Sequence, residues 1–195
     1  GRADRSPGEH YQIDIEMSFV EQEDIFSTLE PIFFDLFNHF GNQKKVSTKP
    51  FKRISFKQAM LKYGSDKPDL RNPLIISDLT NVFKSDEIKL DIFKKIISKG
   101  GVVRGVPAPK TSKKPRSFFD NLNQWAKDEG ASGLAYLNIS AKNKELIGEG
   151  PIAKFFSKKG LSEIVKSCNL KEGDGVFFSC DIQDKAEKMA GLARQ

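Results

Sequence analysis

The sequence predicts an α+β fold with an antiparallel sheet. Apolar runs typical of strands, the clearest at 133–139 and 176–180, are interspersed with amphipathic helical patterns such as 118–126. Polar turns separate neighbouring strand-like runs, as in hairpins, so these strands are expected to pair antiparallel. We therefore expect a sandwich of helices against an antiparallel sheet in the larger, second part of the chain.

The composition is that of a globular protein with room for two small domains. The chain has 195 residues, of which 38% are hydrophobic and 30% charged, and its 16 Phe residues supply large apolar groups for packing. A net charge of +6 favours an anionic partner. Without a long apolar run or a signal-peptide pattern, we expect no membrane association and a cytoplasmic location.

The first ordered element is predicted to be a strand at 11–18. Side chains alternate between the faces of a strand, so Gln12, Asp14, Glu16 and Ser18 would share one face. That face offers an amide, two carboxylates and a hydroxyl but no cation, which makes it a candidate chemical surface. The alternative interpretation is a half-exposed strand of an antiparallel sheet.

A helix is predicted next, from the acidic residues 21–24 to Phe40, with Gly41 at its end. Its apolar and aromatic residues recur at helical spacing, and we expect them to pack in a core rather than line a ligand pocket. Pro31 is expected to bend the axis unless the helix begins close to it. The segment 42–50 is polar and predicted to be an exposed loop.

A short strand is predicted at 51–55, followed by a helix at 56–63 that Ser55 caps and Gly64 ends. The segment 65–71 contains turn-forming residues and is expected to be an ordered loop or linker.

The second part begins with a short strand at 73–78, whose Asp78 could cap one helical turn. The β-branched runs 91–97 and 102–106 flank Gly100-Gly101 and predict a hairpin. The remaining elements follow from the same patterns: a basic loop at 107–116, a helix from 118 that stops at Gly130, paired strands at 133–139 and 145–148, short helices at 152–156 and 162–167 separated by 158–160, a buried strand at 176–180 and a helix at 182–192.

The metal-binding residue types are sparse. Cys168 and Cys180 are too far apart for a four-ligand zinc site, and His10 and His39 add no recognisable pattern. We expect two reduced, partly buried cysteines and no metal. No phosphate-loop or dinucleotide fingerprint is present, which argues against two large classes of nucleotide-binding protein.

Several strings resemble bacterial-type aspartyl-tRNA synthetases, which are class II enzymes. The resemblance to the end of motif 2 and the segments after it lies in Arg2-Ala-Asp-Arg5, Gln12-Ile-Asp14, Glu16-Met-Ser18 and Tyr63-Gly-Ser-Asp-Lys-Pro-Asp-Leu-Arg71. The later strings Gly100-Gly-Val-Val-Arg104, Gly133-Leu-Ala-Tyr136 and Gly150-Pro-Ile-Ala-Lys-Phe155 are similar to the GAD domain inserted in these enzymes.

This resemblance implies two parts: residues 1–71 from the catalytic core and residues 72–195 as a GAD-like insertion domain. It also implies a homodimeric parent enzyme that activates L-aspartate with ATP and Mg²⁺ and transfers it to tRNA. Motif 1, motif 3 and the preceding catalytic strand are not in the 195 residues. We therefore expect this chain alone to be inactive and to hold no cofactor.

The resemblance also assigns site residues. Gln12 and Asp14, supported by Glu16, would form the floor of the aspartate site, where carboxylates suit an ammonium group. The loop with Arg2, Arg5 and Ser6 would face ATP and the tRNA acceptor end, since guanidinium groups match phosphate geometry.

Two other functions stay open. One is a non-catalytic tRNA-binding module, in which Lys110, Lys113, Lys114 and Arg116 contact RNA; the plainer interpretation of that loop is an ordinary solvated surface. The other is a GAD-bearing component of a tRNA-dependent amidotransferase, against which the motif 2-like segment before residue 20 counts.

Overall fold

The computed structural model describes residues 8–47, 49–143 and 145–195. These residues form two compact units that divide between Arg53 and Ile54. The predicted domain boundary at Arg71, which concerns the domains of the parent enzyme, stays a prediction.

The first unit is built on one long helix, α1 (Gln22–Phe40). Its start is fixed by Asp24, whose carboxylate accepts the backbone N–H of Glu21 at 2.8 Å, an arrangement that satisfies a free donor at a helix start. The prediction of a helix ending at Gly41 is confirmed, and the helix continues through Pro31.

The expected burial of the aromatic stripe is wrong. No residue of α1 is buried, and Phe33, Phe37 and Phe40 are 47%, 52% and 75% exposed. The stripe has the amphipathic spacing of a core helix, but within the described residues no element covers it.

The strands predicted at 11–18 and 51–55 are also wrong. Both segments are neither helix nor strand. A strand requires a hydrogen-bonding neighbour, and the described part of the first unit contains no other strand. Instead, the N–H of Phe51 donates to Glu30 at 3.1 Å. Arg53 pairs with Glu23 and lies over the Phe26 ring, and its hydrogen bond lowers the pKa of the Glu23 carboxyl.

The second unit contains a five-stranded antiparallel sheet, which confirms the predicted α+β class. Its strands lie in the spatial order β1-β2-β5-β3-β4, with β5 in the centre. The bounds are β1 (Ser77–Asp78), β2 (Val102–Ala108), β3 (Ala135–Lys142), β4 (Glu145–Glu149) and β5 (Gly175–Asp181). The predicted pairing of 133–139 with 145–148 is confirmed as β3 against β4. The predicted strand at 73–78 is reduced to the two residues of β1.

Six helices accompany this sheet in the described residues: α2 (Phe56–Tyr63), α3 (Thr80–Lys84), α4 (Asp91–Ser98), α5 (Arg116–Asp128), α6 (Lys158–Ser167) and α7 (Gln183–Arg194). The predicted caps of α2 are confirmed: the Ser55 hydroxyl accepts the Gln58 N–H, and Gly64 has a φ of +66°. Asp78 accepts the N–H of Thr80, the first residue of α3, at 3.0 Å, but the N-cap position is occupied by Leu79, so the predicted cap lies one residue too early.

The predicted hairpin at 91–106 is wrong in its first half. Residues 91–98 form helix α4, and only the second run is a strand. Phe93 and Ile97 are four residues apart and face the same hydrophobic cluster, so the helical period prevailed over β-branched composition. Residues 158–160, predicted to separate two helices, are the first turn of α6, and 153–155 form one turn of 3₁₀-helix.

Each face of the sheet carries its own hydrophobic cluster. Phe178 of β5 packs with Phe83 and Ile164 on the side of α3, α4 and α6. The neighbouring Phe177 packs with Phe119 and Met189 on the side of α5 and α7. Because adjacent strand residues point to opposite faces, the central strand contributes to both clusters.

Candidate functional site

The predicted floor of the aspartate site lies in an irregular segment of the first unit. Gln12, Asp14 and Glu16 are all exposed. Among the described residues, none of the three side chains has a hydrogen bond or an ion pair, so all three have their polar groups available to a ligand. Their predicted common face stays a prediction, because the segment has no strand assignment. Arg2, Arg5 and Ser6 lie outside the described residues.

The predicted basic loop is ordered by its backbone. Asp174, just before β5, accepts the N–H of Lys110 at 3.0 Å and that of Lys171 at 2.9 Å. The Ser112 N–H donates to the Gly173 carbonyl at 3.1 Å. The loop therefore has a fixed backbone.

The four cationic side chains of this loop, Lys110, Lys113, Lys114 and Arg116, are exposed. Lys114 lies over the Phe118 ring at 5.8 Å, and Arg116 approaches Asp120 at 3.4 Å. The three lysines precede α5 and Arg116 is its first residue; the N-cap, Pro115, has no side chain that could accept a hydrogen bond, and the first turn contains no acid. The positive end of the helix and the cations thus reinforce one another.

A buried ionic network was missed at the sequence level. Arg104 of β2 is 3% exposed, and its guanidinium contacts Glu187 of α7 and Asp78 of β1, each at 2.8 Å. Glu187 is also buried and accepts a hydrogen bond from Gln183. An arginine inside the apolar run 102–106 is the signal that could have revealed it, because a buried cation requires a partner.

A second missed feature joins the last helix to the linker before β1. The buried guanidinium of Arg194 donates to the backbone carbonyls of Leu74 at 2.7 Å, Asn72 at 2.7 Å and Asp69 at 2.9 Å. It also lies 5.0 Å from the centre of the Tyr63 ring. We call these contacts the Arg194 clamp.

The backbones of α2 and α7 meet beside the clamp. A Cβ on Gly191 would lie 2.5 Å from the carbonyl oxygen of Gly64, so only glycine permits this approach.

Neither cysteine is activated. Burial raises the pKa of the Cys168 thiol to about 11 and that of Cys180 to about 12, so both are protonated at neutral pH. The prediction of free, partly buried cysteines is confirmed. Within the described ranges, no group of three His, Cys, Asp or Glu side chains could hold a metal ion. Nor does any described helix have the length and apolarity needed to cross a membrane.

Comparisons with known proteins agree with the resemblance in the sequence. The chain is 54% identical over 193 residues to an aspartate–tRNA(Asp/Asn) ligase of Beijerinckia indica, and 52% identical over 193 residues to proteins of the same name from Pelagibacter ubique and Rickettsia bellii. Each match covers 99% of this chain but only 31–32% of the relative. The chain therefore spans about a third of the length of these curated relatives. The model of the family described as tRNA synthetases class II (D, K and N) matches residues 1–182, and the chain belongs to this family.

Proposed function

We propose that this chain is part of an aspartate–tRNA ligase, with residues 1–71 from the catalytic core and 72–195 as an inserted GAD-like domain. The observation that carries this proposal is the 54% identity across 99% of the chain to a protein of that name. In this proposal the parent is a cytoplasmic homodimer.

The chemistry proposed for the first unit is substrate positioning. When the aspartate carboxylate attacks the α-phosphorus of ATP and pyrophosphate leaves, negative charge is concentrated on the phosphate oxygens, so catalysis depends on placed cations and hydrogen-bond donors. Gln12, Asp14 and Glu16 are proposed to bind the aspartate substrate, since carboxylates form strong hydrogen bonds with an ammonium group. Their exposure and lack of partners among the described residues support this role. Arg2, Arg5 and Ser6 are proposed to face ATP and the tRNA acceptor end.

We expect the isolated 195-residue chain to give no turnover in an ATP–pyrophosphate exchange assay with L-aspartate. In a protein of the relatives' full length, we expect Asp14→Asn to lower kcat/KM for aspartate by about tenfold or more, because a charged hydrogen bond is lost. Asp35→Asn, an exposed carboxylate on α1, is the matched control and should leave kcat/KM unchanged. Turnover by the isolated chain, or equal effects of the two substitutions, would contradict the proposal.

A second candidate function is tRNA binding by the basic loop. The fixed backbone and exposed cations of this loop favour it. Replacement of Lys110, Lys113 and Lys114 by Ala should weaken tRNA binding and reduce the slope of log K against log salt by about 2–3, if each lysine neutralises one phosphate.

The matched control for the loop replaces three exposed lysines near α3 and α4, namely Lys84, Lys89 and Lys95, by Ala. This control keeps the same net charge as the loop variant, so a specific loop contact predicts a smaller change in slope. Binding isotherms at two or more salt concentrations decide the point. Absence of tRNA binding by the unaltered chain at low salt would reject the second candidate.

A further inference from the structure

A cavity lies in the second unit where the sheet is locally incomplete. The β3–β5 pairing begins with Ala135 opposite Phe178, so the β5 residues 179–181 have a strand neighbour only on the β2 side. The chain before β3 turns away at Gly130 and Gly133, which have φ values of +87° and +143°. The resulting cavity has a volume of about 160 Å³.

The lining of this cavity combines apolar and polar side chains. Met189 and Leu192 of α7 line it. Ser179 also lines it, is 3% exposed, and lies on the α7 face because it is opposite Arg104 in the β2–β5 register. In the described part of the chain, the Ser179 hydroxyl has no hydrogen-bond partner. This hydroxyl is not fully enclosed by protein and lines the cavity, so a bound molecule can take the place of water there.

The turn across the cavity supplies further donors. The backbone N–H groups of Ser132 and Gly133 donate to no acceptor among the described residues. Both residues line the cavity, as does the whole turn 129–133. Ser132 is exposed, so its N–H group is open to solvent, and a carboxylate oxygen of a ligand is a suitable acceptor for it.

The charged residues of the cavity have both signs. Lys185 and Lys188 lie one turn apart on α7 and are exposed, while Glu129 and Asp181 provide two carboxylates. In the described residues, none of the four forms an ion pair. A simple anion would lie close to two carboxylates, and a simple cation close to two ammonium groups. A molecule that carries both charges avoids either repulsion.

We propose that this cavity binds a small free amino acid in its zwitterionic form. The ligand carboxylate is directed to the α7 lysines and the donors of Ser132 and Gly133. Its ammonium group is directed to Glu129 and Asp181, and its side chain to Met189 and Leu192. This site is separate from the predicted aspartate floor in the first unit, and its existence does not depend on the proposed function.

The test is a titration of the ¹⁵N-labelled 195-residue chain, followed by amide chemical shifts, with glycine, L-leucine and L-aspartate in turn. Acetate, methylammonium and inorganic phosphate are the single-charge probes. We expect saturable shifts at Ser132, Gly133 and Ser179 with at least one amino acid and none with the single-charge probes. Equal binding of acetate or phosphate would show an anion site and overturn the proposal, as would a folded chain without saturable shifts for any of the three amino acids.

Variants separate this site from non-specific binding. Lys185→Ala with Lys188→Ala should weaken amino-acid binding about tenfold or more, equivalent to at least about 1.4 kcal/mol. Lys166→Ala, an exposed lysine on α6, is the matched control. Ser179→Ala removes the hydroxyl without added volume and should also weaken binding. Unchanged affinity in both the lysine variant and Ser179→Ala, with the rest of the spectrum intact, would overturn the proposal.

Discussion

Replacement of Glu187 by Ala is expected to destabilise the second unit by about 3–5 kcal/mol, because it leaves the buried Arg104 cation without its buried partner. The remaining partner, Asp78, has a side chain that is 48% exposed, so its attraction to Arg104 is weakened by solvent and does not replace that of Glu187. Urea unfolding followed by fluorescence measures the effect. Trp125, the only tryptophan in the sequence, lies on α5 against the same cluster as Met189, so its signal reports on this unit.

Two further variants identify the cause of that loss. Asp184→Ala removes an exposed carboxylate from the first turn of α7 and should cost less than about 1 kcal/mol. The double variant Arg104→Met with Glu187→Leu removes both charges and should be more stable than Glu187→Ala alone. A Glu187→Ala loss below about 1 kcal/mol would show that water reaches Arg104 and that the pair is not buried in solution.

Replacement of Arg194 by Ala should cost at least about 3 kcal/mol. Three partly buried backbone carbonyls lose a charged donor, a kind of hydrogen bond that contributes about 1.5–3 kcal/mol each, and the contact with Tyr63 is lost as well. Hydrogen exchange should locate the effect, with faster exchange at Ile76, whose N–H donates to the Lys62 carbonyl beside the linker.

Arg71→Ala is the matched control for the clamp. Arg71 lies in the same linker and pairs with Asp69, but its side chain is 91% exposed. Such exposed pairs contribute about 0–1 kcal/mol, so the free energy of unfolding of this variant should be close to that of the unaltered chain. Similar losses in the two variants would contradict a specific role for the buried guanidinium.

Sequence patterns predicted the elements whose signals are local. The α2 helix has its cap, Ser55, and its stop, Gly64, within the segment itself, and both are confirmed. The strands β3 and β5 are apolar enough to indicate burial on their own. The α4 helix was mistaken for a strand because its β-branched residues outweighed their helical spacing, which is clear only once Ile97 and Phe93 face a common core.

Features that depend on a distant partner could not be predicted in the same way. A strand at 11–18 needs a neighbour that the described residues lack, and the α1 stripe needs a covering surface. Arg104 is 83 positions from Glu187 in the sequence, and no local pattern in either segment indicates that the two residues pair. The cavity beside Ser179 arises because β3 begins opposite Phe178 and leaves residues 179–181 of β5 without a neighbour on that side; this register cannot be read from composition.

The clamp also brings together the two ends of a long stretch of chain. The side-chain amide of Asn72 donates to the backbone carbonyl of Arg194 at 2.7 Å, so residues 72 and 194 are in contact. A domain whose first and last residues are in contact can be inserted into a single surface loop of another domain, because the two ends of that loop need not move apart. Residues 72–194 thus have the geometry of an insertable module, because gain or loss of this stretch would leave the chain on either side of it close together.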